Sequence, residues 1–498
     1  VHVLFLSFTF IGMLLTAALL GLTQTTPHHR SLVRRFSGDV VDIQKQHFFS
    51  RKEWSDLSPP PSQESMNVLS EMDAGIRPSK IQAASWSDVH SGRSCMIAEQ
   101  TGSGKTLAYL LPLMERFAAE EKEAGSTSNG RVRALIICPT TELSVQVASV
   151  ARAISPKGIR VALATGGPDR PMKTQSEMLR EGVDVMVATS GRAAALLEHG
   201  GLCLDFVSTL VLDEVDVMVL DSSFRLQAIG QALSASEQCQ FVFVSATMPP
   251  GVFEQLKVEF PTLRFIKGPG LHRIPMNLGL NLVDCSPEKQ IQMSSSSNMK
   301  QQTESVDDIK RRAAVRLMEE RGVKRTVIFC NSMANCRKVE NLLRRVDRKG
   351  SKFSLLPHHS AINEKQRRQN LVVFGGKSPD IGIDTRRANT REVRRGGSGG
   401  KRGKSKPIDT TNQHFVLICT DRAARGVDFD GVTVEHVVLW DWPRNPSEFL
   451  RRVGRTARAG STGFVSALVS GHHQVSAARV VIDSARNGDH LEALPKDA

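Results

Sequence analysis

Glu99-Gln-Thr-Gly-Ser-Gly-Lys-Thr106 follows one apolar run, Cys95–Ala98, and opens a second, Leu107–Leu113. The order predicts a strand, a glycine-bearing turn and a helix. Gly102 and Gly104 free the backbone to turn its N–H groups inward around phosphate oxygens. Thr101 and Ser103 complete the turn. The start of the helix adds partial positive charge. Lys105 is long enough to reach β- and γ-phosphates, and the Thr106 hydroxyl is suited to Mg²⁺. This is the phosphate loop of a nucleotide-binding α/β protein. Its first position usually carries a small residue; here it is Glu99, whose carboxylate would repel phosphates unless it points away.

Outward from this loop, the same kind of run recurs. Ala134–Cys138, Val185–Ala188, Thr209–Leu212, Phe241–Ser245, Thr326–Phe329, Val416–Cys419, His436–Leu439 and Phe464–Val469 are near-continuously apolar and separated by helical stretches. Strands buried on both faces of a parallel sheet read this way, so the chain is expected to form doubly wound α/β domains. Leu210-Val-Leu-Asp-Glu-Val-Asp216 ends one of these runs in carboxylates. Asp213 is placed to hold the metal, and Glu214 to orient and deprotonate an attacking water.

The 498 residues carry 65 Lys+Arg against 51 Asp+Glu, a surplus of +14. Such a surplus points to a polyanionic partner, nucleic acid before membrane. The 40% hydrophobic content excludes a wholly disordered chain. Eight cysteines contain no CxxC pair, which argues against zinc and against a disulfide scaffold; they read as buried thiols in a reducing compartment. Half the surplus lies in 377–407, ten Lys/Arg against three acids in a Gly-rich setting. That stretch is expected to be a basic disordered insertion, 377–412, able to grip phosphates without reading sequence. One tyrosine and 5% aromatics argue against a base-stacking platform as the means of nucleic-acid binding.

Residues 1–38 hold no acid, and the first 22 are apolar while Arg30, Arg34 and Arg35 follow. This reads as a targeting segment. A plastid address is favoured, with a mitochondrial one or a membrane anchor as alternatives.

Further motifs then fall in a recognisable order. Gly75-Ile-Arg-Pro-Ser-Lys-Ile-Gln82, Pro139-Thr-Thr-Glu-Leu143, Gly166-Gly167, Thr189-Ser-Gly-Arg192, Ser245-Ala-Thr247, Val327–Ser332, Arg367, Thr420-Asp-Arg-Ala-Ala-Arg-Gly-Val-Asp428 and Arg452-Val-Gly-Arg-Thr-Ala-Arg458 stand in sequence around the phosphate loop and DEVD. With them, residues 54–470 resemble a DEAD-box ATP-dependent RNA helicase. The resemblance implies two tandem RecA-like doubly wound parallel-sheet domains joined by a flexible linker, with ATP, Mg²⁺ and RNA in the cleft. Domain 1 would span 50–275, the linker 276–310, domain 2 311–475 and a tail 476–498.

It also implies roles. Gln82 would read adenine, with Trp54 standing in for the aromatic upstream of it, and Asp428 would contact nucleotide. Arg455 and Arg458 would reach the γ-phosphate from domain 2. Asp216, Ser245, Thr247 and Arg451 would couple hydrolysis to unwinding. Thr140, Glu142, Gly167, Thr189, Gly191, Arg192, Arg367 and Thr420 would hold the RNA backbone, which carries no base code. Ribonucleoprotein or ribosome-assembly partners would follow, with no membrane in the mature form. Val215 replaces Ala in DEAD, Thr141 an expected Arg, Arg451 an expected His, and Glu364 a common Gln. An Arg at 451 suits a bidentate pair with Asp216. An ATP-dependent RNA clamp with little unwinding, or a DNA helicase, are the alternative activities.

Overall fold

A computed structural model describes residues 48–72, 77–124, 131–167, 170–219, 224, 229, 239–275, 277–287, 304–375, 413–424, 433–457 and 461–491. The expected targeting segment, the basic insertion, Asp428 and Arg458 lie outside them.

Two parallel sheets form two lobes. The first contains β1 (Cys95–Ala98), β2 (Ala134–Cys138), β3 (Val161–Ala164), β4 (Val185–Thr189), β5 (Thr209–Asp213), β6 (Gln240–Ser245) and β7 (Arg264–Lys267), in the order β3-β4-β2-β5-β6-β1-β7. The second contains β8 (Leu278–Asp284), β9 (Arg325–Cys330), β10 (Phe353–His358), β11 (His414–Thr420), β12 (His436–Leu439) and β13 (Gly463–Val469), ordered β10-β11-β9-β12-β13-β8. Successive residues of a strand feed opposite cores: Cys95 and Ile97 one, Met96 and Ala98 the other. Val327 and Phe329 likewise oppose Ile328 and Cys330. Both faces are therefore covered, as the unbroken apolar runs require.

Two boundaries differ from expectation. The stretch 276–310, expected as linker, contributes β8, which pairs along its whole length with β13. The stretch 476–498, expected as tail, begins inside the helix His472–Arg486, whose Val481, Ile482 and Ala485 fill the second lobe's core. β8 escapes notice because it is an edge strand with half-buried residues and no continuous apolar run.

Seven of the eight cysteines are buried and all eight are free; Cys203 is exposed. Among the described residues, no helix is long and apolar enough to cross a membrane.

Three histidines of the second lobe are held neutral by burial. It pushes His358 and His414 down to about 4 and His436 to about 3. The unfolded chain binds their protons from about pH 6.5 downward while the folded chain does not. Stability is then fully present above pH 6.5 and falls as pH drops toward 4. Between pH 7 and 4.5 these three rings are expected to contribute a slope approaching three protons, about 4 kcal/mol per pH unit, to urea unfolding of the second lobe. A slope near zero would mean these rings are solvated in the native state.

Candidate nucleotide and RNA site

The motif residues converge because they follow the carboxyl ends of parallel strands, where open α/β sheets bind ligands. The phosphate loop follows β1, Glu214 follows β5, and Thr247 lies just beyond β6. In the second lobe, Asn331, Asp421 and Asp441 follow β9, β11 and β12.

Gly102 and Gly104 adopt φ of 78° and 83°, a region other residues enter at a cost. The Lys105 ammonium donates to the carbonyls of Glu99 and Gln100 at 2.7 and 2.8 Å. Glu99 does point away from the loop. Its oxygens accept N–H groups of Gln100 (2.8 Å) and Gly270 (3.3 Å), and Gly268 leaves no room for a Cβ beside it. Burial pushes its carboxyl up, against the pull of those two N–H donors.

Gln82 caps its own helix, accepting from Ser79 N at 2.7 Å, and donates to Gly104 O at 3.1 Å. It thus abuts the phosphate loop. Trp54 does not serve as the aromatic of this site: it is 1% exposed and packs edge-on against Trp86 at 6.2 Å. Its large apolar ring belongs to the core.

Asp213 is buried. Its Oδ2 accepts the Tyr109 hydroxyl at 2.9 Å and its Oδ1 the Glu214 N–H at 3.0 Å. Burial first, then the charge of Glu214, pushes its carboxyl up to about 6. Such a carboxylate favours a nearby cation, which fits a metal-holding role. Tyr109, the chain's one tyrosine, is a site residue that the motifs did not reveal; its pattern reads as core. Glu214 adopts φ 56°, ψ 47°, and its Oε2 is buried with no hydrogen-bond partner among the described residues.

The Thr247 hydroxyl donates to Asp216 Oδ2, and Ser245 Oγ accepts Thr247 N–H at 3.1 Å. Arg451 reaches Asp216 from the second lobe by a single Nη2–Oδ2 contact of 3.7 Å. The bidentate pair is not formed, because Nε is turned to Ser447 O at 3.2 Å. Thr101 Oγ1 donates across the seam to Gly454 O at 3.0 Å, immediately before the buried Arg455.

On the RNA side, Gly167, Thr189, Gly191 and Arg192 line one open groove of about 570 Å³ with Gly166 and Arg170. Thr140 instead caps the helix Thr141–Ala153 through Leu143 N at 3.2 Å. Glu142 pairs with Arg367 of the second lobe at 3.3 Å. Glu364 pairs with Arg368 and lies against Gly167. Thr420 ends β11, half-buried, among the second-lobe strand ends. Arg452, to which no role was given, is fully buried and pairs with Asp421 at 2.8 and 2.6 Å.

Family models for a DEAD/DEAH box helicase and a helicase conserved C-terminal domain match residues 79–256 and 403–460. The chain belongs to the DEAD-box helicase family. It is 37% identical over 458 residues to DEAD-box ATP-dependent RNA helicase 50 of Arabidopsis thaliana, covering 91% of this chain and 53% of that one. Against the Oryza sativa helicase 50 it is 38% identical over 452 residues, covering 90% and 63%. This DEAD-box chain therefore spans between half and two thirds of these plant relatives. A mitochondrial helicase, MRH4 of Eremothecium gossypii, is 27% identical, covering 74% and 67%. In fold, it superposes on S. cerevisiae Dbp5 bound to RNA and ADP BeF3 with TM-score 0.60, at 22% identity over 86% of this chain and 92% of that one. Mss116 bound to ssRNA and UDP-BeF gives 0.65 at 19% identity over 89% and 80%.

Proposed function

We propose that this DEAD-box chain is an RNA-stimulated ATPase that remodels or locally unwinds RNA duplexes or RNA–protein complexes. One observation carries the reading. The unpartnered Glu214 carboxylate oxygen and the phosphate loop belong to one lobe, and Thr101 of that loop is bonded to Gly454, the neighbour of Arg455, in the other. Nucleotide at this seam would meet both lobes. Arg455 and Arg458 then neutralise charge developing on the transferred phosphoryl group only when the lobes are together, and Glu214 takes the proton of the attacking water. Gln82 would read the adenine edge, and Asp428 would contact the nucleotide from the second lobe's sequence. Thr106 and Asp213 would hold Mg²⁺, which supplies charge neutralisation on the β/γ-phosphate oxygens when bound.

RNA along the Gly167–Arg192 groove and the Arg367 helix touches both lobes, so it favours their closed arrangement and thereby turnover. Arg367, paired with Glu142, is already ordered for that contact. The acid-free 1–38 segment supports an organellar address, and the relatedness to a protein named mitochondrial is consistent with that.

The deciding experiment compares ATP turnover with RNA and with DNA of one sequence. RNA is expected to stimulate and DNA to leave the rate near its basal value. Deleting 377–412 is expected to flatten the salt dependence of RNA binding by about 0.7 in log–log slope per lost phosphate contact. Equal stimulation by both nucleic acids would overturn the RNA reading.

A further inference from the structure

Among the described residues, three that are not glycine have a left-handed backbone: Glu214, Ala457 and His272. Glu214 belongs to DEVD, and Ala457 lies between Arg455 and Arg458. His272 belongs to no motif. It sits where the chain passes between lobes, since Leu271 is in a first-lobe core and Ile274 packs against a second-lobe core.

Its imidazole is buried, and Nε2 accepts the Met248 N–H at 2.8 Å. Met248 follows Thr247, whose hydroxyl bonds Asp216. The His272 carbonyl accepts the N–H of Leu491, itself buried in the second lobe's core, at 3.1 Å. The next residue, Arg273, meets His490 at 3.0 Å. Upstream, Gly270 donates to Glu99 of the phosphate loop. The short hinge 268–274 thus touches the phosphate loop, the Ser245-Ala-Thr247 loop and, through His490 and Leu491, the second lobe. A left-handed conformation at a histidine persists only where its surroundings over-determine it, and such positions gather at sites of function.

We propose that His272 is a positioning residue that anchors the interlobe hinge to the Ser245-Ala-Thr247 loop. Lobe closure and the Asp216–Thr247 bond then form together, and each favours the other. This deepens the ATPase reading above and rests on it.

The test uses the full chain with His272→Asn and His272→Gln. Asn tolerates the left-handed backbone but is too short to accept from Met248; the Gln amide oxygen can stand where Nε2 does. His272→Asn is expected to keep basal ATP turnover and KM for RNA, and to melt a few degrees lower because the buried Met248 N–H loses its acceptor. Its RNA-stimulated kcat is expected to fall about tenfold, the effect of one hydrogen bond made in the closed, reacting state. His272→Gln is expected to recover most of that loss. Unchanged stimulation in the Asn variant, an equal fall of basal and stimulated rates, or no recovery with Gln would each overturn the proposal. A wild-type chain that RNA fails to stimulate sinks the ATPase reading and this proposal with it; a stimulated wild type matched by the Asn variant sinks this one alone.

Discussion

Glu214→Gln is expected to bind ATP and hold RNA normally while hydrolysing ATP about 10²–10⁴-fold more slowly. The side chain keeps its volume, so the left-handed turn at φ 56° and the packing of DEVD are undisturbed. What is lost is the ability of one oxygen to accept a proton. That oxygen, Oε2, is buried and makes no hydrogen bond among the described residues. A buried acceptor left without a partner is costly, and the attacking water of the proposed reaction would complete it. Single-turnover hydrolysis, measured beside binding of a fluorescent ATP analogue and an RNA mobility shift, separates the two effects. Turnover within a few-fold of wild type would remove Glu214 from the chemistry; loss of ATP binding would make its role structural.

Arg452→Leu is expected to destabilise the second lobe by about 3–5 kcal/mol, the usual cost of breaking a buried pair from one side. The guanidinium joins three loops. It donates to Asp421 Oδ1 and Oδ2 at 2.8 and 2.6 Å, to Asn331 Oδ1 at 2.5 Å and to Asp441 O at 2.7 Å. These follow β11, β9 and β12, the strand ends that carry the second lobe's share of the site. Leucine leaves the Asp421 carboxylate and the Asp441 carbonyl uncompensated. Arg452→Lys is expected to rescue little, because an ammonium lacks the planar fork. Thermal unfolding should drop by roughly 10 °C, with proteolysis confined at first to the second lobe. An unchanged melting temperature would show the network to be dispensable.

The reach of sequence reading here follows from how strands are buried. The nine apolar runs correspond to the nine interior strands, whose residues are mostly covered on both faces and are therefore near-continuously apolar. The four that went unread, β3, β7, β8 and β10, are the edges of the two sheets. Three of these alternate or are half-exposed, as Arg264–Lys267 and Leu278–Asp284 are, and carry no continuous signal; β3 is a continuous but short apolar run, Val161–Ala164, whose burial alternates. At the site, the phosphate-loop, DEVD and Ser245-Ala-Thr247 residues that the fold brings together were legible because the proposed chemistry fixes both type and spacing. Residues that hold those residues were not. Tyr109 and His272 act through contacts between distant parts of the chain, and no local pattern encodes such partners; Arg452, Asn331 and Asp421 stand inside quoted motifs, but their contacts with one another are equally non-local. Trp54 failed in the opposite sense: an aromatic near the right place is equally good core, and its packing against Trp86 settled the matter.

The pairing of β8 with β13 matches Leu278 to Gly463, 185 positions later. During synthesis the first lobe has all its strands once Lys267 has left the ribosome, so it can fold early. The second lobe's first strand then waits as a bare edge until almost the entire remainder has been made, with the 377–412 insertion delaying it further. Nascent chains of this protein should be most exposed to misassociation in that interval, and a chaperone acting on it would find its binding site in the newly emerged β8 rather than in the catalytic loops.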